Sequence, residues 1–195
     1  MKLQNKIKYF KLVIVTIIAV LFFNNYCFAE NEPEIGSESA ILIEANSGKI
    51  LYKKNSDEKR FPASLTKILT AIIVIENCNL DDKVTVNYNA LSTIPSGYTI
   101  AELQPGEEIS VENLLDVLLV HSANDAANVL AMHVGGSIDR FISMMNSKAK
   151  EIGCKNSNFT NTYGLQDENH YTTATDLALI AKYCMKNNDF RSFVS

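Results

Sequence analysis

From Ala63 to Asn77 the chain is apolar on nearly every side: after Lys67 it reads "ILTAIIVI". That is the pattern of a helix buried all round, rather than one with a single apolar stripe. Pro62 stands just ahead of it, where its fixed φ suits a helix start. Upstream, two β-favouring runs, Ala40–Glu44 and Lys49–Tyr52, flank Asn46-Ser47-Gly48, which predicts a hairpin. "DDKVTV" reads as a short strand, and "NALSTIPSGYTIAELQPGEEIS" as loop with turns at Pro95-Ser96-Gly97 and Pro105-Gly106. Ser110 is placed to cap a helix over "VENLLDVLLV". "HSAN" interrupts, and "DAANVLAMHV" resumes a helix ending at Gly135-Gly136. Ser137 caps a further helix that stops at Gly153, with Phe141, Met144, Met145 and Ile152 on its core face. "CKNSNFTNTYGLQDENHY" is a polar loop with one short strand. Thr173 to Asp176 has the form of a capping box and opens "LALIAKYCMK". One hairpin followed mostly by helices gives an α/β chain of the α+β type. A two-stranded hairpin is marginal alone, and few partner strands follow it.

The first segment has a different character. Lys2, Lys6, Lys8 and Lys11 precede an apolar run from Leu12 to Phe23, and Ala29 closes it before an acidic stretch. This is the layout of a secretory signal peptide over residues 1–29, with a run shorter than the roughly 20 residues of a comfortable membrane span. An acidic lead-in, 30–38, follows, and then one domain, 39–195. Residues 1–29 hold four of the 18 basic residues and none of the 22 acidic ones. The remainder carries 14 basic against 22 acidic residues, a net charge of −8. A surface of that sign argues against nucleic acid as a partner. Of the four cysteines Cys27 lies in the signal segment; the other three, Cys78, Cys154 and Cys184, are odd in number and form no C-x-x-C pair, so they read as small buried apolar residues, with one bridge left open. His121, His133 and His170 show no metal-ligand spacing, so no metal and no cofactor is expected.

The candidate chemistry sits at the head of the buried helix. Ser64 and Lys67 are three residues apart and so share a helix face. A serine hydroxyl is a weak nucleophile until a base takes its proton. A lysine kept neutral by burial, near the positive end of a helix, can be that base. The alternative is a capping serine and a lysine that reaches out to water. A second polar group, Ser122-Ala123-Asn124, lies at the break between two helices. Ser122 there can relay a proton to a leaving group, and Asn124 can hold the lysine and a substrate carbonyl.

"RFPASLTKILTA", "HSANDAANVLA" and "NTYGLQDENHYTTATDLALIAKY" together resemble the low-molecular-mass penicillin-binding proteins, which are serine-type D-alanyl-D-alanine carboxypeptidases. The resemblance covers Ser39 to Ser195. It implies a β-lactamase/transpeptidase-like fold and an exported, cell-envelope location. It implies Ser64 as acyl-ester nucleophile, Lys67 as general base, and Ser122 and Asn124 as the second motif. The substrate it implies is the peptidoglycan stem peptide ending in D-Ala-D-Ala, with β-lactams as covalent inhibitors. The third motif of that family, K-T-G on a sheet strand beyond the "TTATDLA" helix, is absent from these 195 residues. The expectation is therefore a C-terminally truncated catalytic domain with an incomplete antiparallel sheet, impaired activity, and no C-terminal membrane-associated tail. A non-catalytic pseudo-enzyme or wall-peptide-binding module, and a β-lactamase-like hydrolase, are the alternatives.

Overall fold

The computed structural model describes residues 33–195; the expected signal peptide lies outside them. β1 (Ala40–Ile43) and β2 (Ile50–Lys54) form the expected antiparallel hairpin, with Ala40 opposite Lys54 and Leu42 opposite Tyr52. Glu44 organises the turn by accepting from the Asn46 and Ser47 backbone N–H groups, and Gly48 takes φ 78°. Among the described residues the hairpin gains no third strand. β1 leans instead on a later helix, α6 (Ala174–Cys184). Leu42, Ile50 and Leu51 stay about half exposed, as expected of a sheet short of partners.

The central helix opens with one 3₁₀ turn, Ala63–Leu65, and continues as α1 (Thr66–Asn77). Every residue of α1 from Leu69 to Ile75 is buried, as are Thr66 and Lys67. β3 (Lys83–Thr85) is the strand expected in "DDKVTV". Its partner β4 (Glu108–Ser110) lies at the end of the segment read as loop, with Val84 opposite Ile109. Three residues with one apolar side chain carry too little period-2 pattern to announce a strand. A short helix, α2 (Tyr88–Leu91), lies between them, capped by Asn87.

α3 (Val111–Leu119), α4 (Asn124–Gly135) and α5 (Ile138–Ile152) follow, then α6 and α7 (Asn188–Val194). Ser110, Ser137 and Thr173 each accept a hydrogen bond from the backbone N–H three residues on, as read from the sequence. The α4 and α5 stops are left-handed Gly136 and Gly153. Asp176 is not the reciprocal half of a capping box. Its buried carboxylate accepts from Lys155 N, Asn156 N and Ser157 Oγ, tying α6 to the loop before it. The core lies between α1, α3, α4 and α5, where Leu69, Ile72, Leu114, Leu118, Leu130, Phe141 and Met145 are almost fully buried. Each such side chain contributes roughly 1.5–3 kcal/mol through removal from water. Among the described residues the three cysteines are free thiols. Cys184 is buried, and Cys78 and Cys154 are half-buried.

Candidate active site

Ser64 is exposed in the 3₁₀ turn that feeds α1, and Lys67 lies beneath it in the first turn of the helix. Lys67 is only 3 % exposed. Its Nζ lies 3.3 Å from Ser64 Oγ and donates at 3.0 Å to the carbonyl of Tyr163. Burial without an ion-pair partner pulls the amine down to about 8, because desolvation penalises the charged form. A lysine that reaches out to water, the alternative open from sequence, does not fit this placement.

The loop carrying Tyr163 is bolted down. Asn161 Oδ1 accepts from the backbone N–H groups of Tyr163, Gly164 and Leu165, which folds "NTYGL" into a tight turn. Thr70 Oγ1 of α1 donates to the Thr162 carbonyl at 2.7 Å, and Thr162 Oγ1 donates to Asn128 Oδ1 of α4 at 2.6 Å. Gly164 (φ 95°) packs on the backbone just before Ser64: a Cβ there would stand 1.8 Å from the Ala63 carbonyl oxygen. His170 pins the far side of this loop. Its Nδ1 accepts from Thr160 N–H at 3.0 Å, which leaves Nε2–H to donate to Thr66 Oγ1 at 2.8 Å. Burial holds His170 down at about 4, so it is neutral near pH 7.

Two non-glycine residues at the site have left-handed backbone: Ala63 (φ 48°), which precedes Ser64, and Ser122 (φ 61°). Such conformations cost on the order of 1–3 kcal/mol and persist only where the surroundings impose them. Ser122 is held between Ala123 N–H on the Val117 carbonyl and Asn124 N–H on the Thr99 carbonyl. Asp125 is 2 % exposed and accepts from Ala101 N and Leu103 N, fixing the Thr99 loop to α4.

Ser64, Lys67 and Ser122 line one open cavity of about 430 Å³, together with apolar residues that include Leu118, Ala181 and Phe190. The structure thus brings together three of the four residues singled out in the sequence. Asn124 is buried as the first residue of α4, beside this cavity in sequence but not among its lining residues. Missed from sequence were the Tyr163 carbonyl, Thr70, Gly164 and His170. Their available signal was an Asx-turn asparagine followed by glycine in "NTYGL".

An exposed serine just after a left-handed residue, over a buried lysine and lining one cavity with a second serine, is an arrangement able to support nucleophilic chemistry through an acyl-enzyme. The chain belongs to the D-alanyl-D-alanine carboxypeptidase family, whose sequence profile matches residues 27–194. It is 38% identical over 187 residues to DacF of Bacillus subtilis, covering 90% of this chain and 47% of that protein. It is 35% identical over 163 residues to DacA of Escherichia coli, covering 80% and 40%. The fold matches penicillin binding protein 6B from Escherichia coli at TM-score 0.80 and 31% identity, over 86% of this chain and 55% of that one. It matches the Streptomyces K15 DD-transpeptidase at TM-score 0.78 and 33% identity, over 83% and 65%. The β-lactamase/transpeptidase-like fold expected from the sequence is therefore the observed one. The chain spans less than half the length of these curated relatives.

Proposed function

We propose that this chain carries the acylating half of a serine-type D-Ala-D-Ala carboxypeptidase site. The observation that carries the reading is Lys67 Nζ, buried, 3.3 Å from Ser64 Oγ and lowered to about 8. In this reading Ser64 Oγ attacks the carbonyl carbon of the penultimate D-alanine while its proton passes to Lys67 Nζ. The C–N bond then breaks. The departing D-alanine amine takes a proton, relayed through Ser122, and leaves Ser64 as an ester. Water hydrolyses that ester and returns the serine hydroxyl. Asn124 positions the second motif. β-lactams acylate the same serine.

The lysine-rich start and apolar run favour an export signal over residues 1–29, an acidic lead-in to 38 and a partial catalytic domain over 39–195 acting outside the cytoplasm. Among the described residues no helix is long and apolar enough to cross a membrane. The alternative is a module that binds wall peptide without turnover. Intact mass of the chain after incubation with penicillin, beside Ser64→Ala, separates the two. One adduct that disappears in the variant supports the acylating site. Absence of an adduct on folded protein supports the binding module instead.

A further inference from the structure

At the end of α1 remote from Ser64, three side chains of metal-ligating type converge. The Sγ of Cys78, a carboxylate oxygen of Asp82 and a ring nitrogen of His133 all lie within 4.8 Å of one another. They come from three pieces of structure. Cys78 is the C-cap of α1, its N–H on the Val74 carbonyl at 3.0 Å. Asp82 belongs to the turn leading into β3. Its carboxylate accepts from Asn79 N–H at 2.9 Å, and its own carbonyl accepts from Val111 N–H at 3.0 Å. His133 stands in the last turn of α4, just before the left-handed cap Gly136.

We propose that Cys78, Asp82 and His133 form a binding site for a borderline-soft divalent metal ion of the zinc class. Three arguments point the same way. A thiolate, an imidazole and a carboxylate are the donor set that zinc takes, whereas magnesium and calcium take oxygen. The C-terminal ends of α1 and α4 meet here, so two sets of outward carbonyls give the place a negative potential that favours a cation. The carboxylate is already oriented by a backbone N–H, the kind of outer hydrogen bond that aims ligands at a metal.

Tetrahedral zinc, with bonds of about 2.0–2.3 Å, needs donor–donor edges of roughly 3.4–3.6 Å. The cluster therefore has to tighten by no more than about 1.4 Å on any edge. His133, which is exposed, can supply that by a side-chain rotation. Three protein ligands leave a fourth position for water. Cys78 stands 14 residues after Ser64, so this site and Ser64 lie about 21 Å apart along the helix. The metal would clamp the ends of α1 and α4 and take no part in acyl transfer. Sequence reading found no ligand spacing because Cys78 and His133 come from distant helices.

Zinc chloride titrated by calorimetry into the full chain, freed of metal with a chelator, tests the proposal. One zinc per chain is expected, with a rise in Tm. Cys78→Ser and His133→Ala should each weaken binding by at least about 100-fold, above the roughly 10–100-fold lost with an outer-shell partner. Alanine at the exposed position 133 suits the helix, so that variant remains a folded control. Cobalt(II) should give a thiolate-to-metal absorption band that vanishes in Cys78→Ser. No binding by the wild-type chain would overturn the proposal. So would zinc binding that survives His133→Ala, or a cobalt band that persists without Cys78.

Discussion

The sharpest consequence of the Ser64–Lys67 geometry is a pH profile for acylation. Lys67 can accept the serine proton only as the neutral amine. With the amine lowered to about 8 by burial, about one molecule in ten carries the base form at pH 7, about half at pH 8, and about one in a hundred at pH 6. The acylation rate by penicillin should therefore climb roughly 50-fold between about pH 6 and pH 8, then level off within about a factor of two above pH 9. An unperturbed lysine, near 10.4, would keep the rate climbing across that plateau. The assay is quenched-flow intact mass at a single penicillin concentration across the range, giving a rate at each pH. Lys67→Ala should lose most of the rate and flatten the profile, since general-base assistance is typically worth about 10²–10⁴-fold. A wild-type profile that is flat from pH 6 to 8, or a rise that persists in Lys67→Ala, would refute the assignment of Lys67 as base.

Two further outcomes follow from the loop behind the lysine. Gly164→Ala sets a methyl group 1.8 Å from the Ala63 carbonyl oxygen at φ 95°, so the backbone ahead of Ser64 must move. A Tm loss matching about 1–3 kcal/mol and a fall in acylation rate larger than that of an exposed-loop control are expected. An unchanged acylation rate would show that Ala63 does not position the nucleophile. His170 is held near 4, while the unfolded chain titrates near 6.5. The unfolded state thus binds a proton that the folded state refuses. This contribution to stability is complete above about pH 6.5 and shrinks by about 3 kcal/mol as pH falls to about 4. Urea midpoints over that window should slope downward with acid, and His170→Gln should flatten the slope; an unaltered slope would assign it to other groups.

Much of the helical framework was legible because its signals are local. An all-round apolar run needs only its own residues to announce a buried helix. Ser110, Ser137 and Thr173 announce helix starts because a cap bonds a backbone N–H three residues away. Ser64 and Lys67 share a helix face for the same reason of short spacing. β4 was missed because three residues acquire strand identity only from pairing with β3.

The sequence alone thus determined the hairpin, the main helices with their caps, and the presence of a serine–lysine pair. The tertiary structure decided what that lysine is. Its depressed basicity comes from burial, its aim from the Tyr163 carbonyl, and its neighbour's placement from Gly164 pressed on Ala63. These contacts join positions nearly one hundred residues apart, and no local pattern encodes the dielectric around a buried amine. The same is true of Cys78, Asp82 and His133. Each is unremarkable in its own segment, and they become a group only where two helix ends meet.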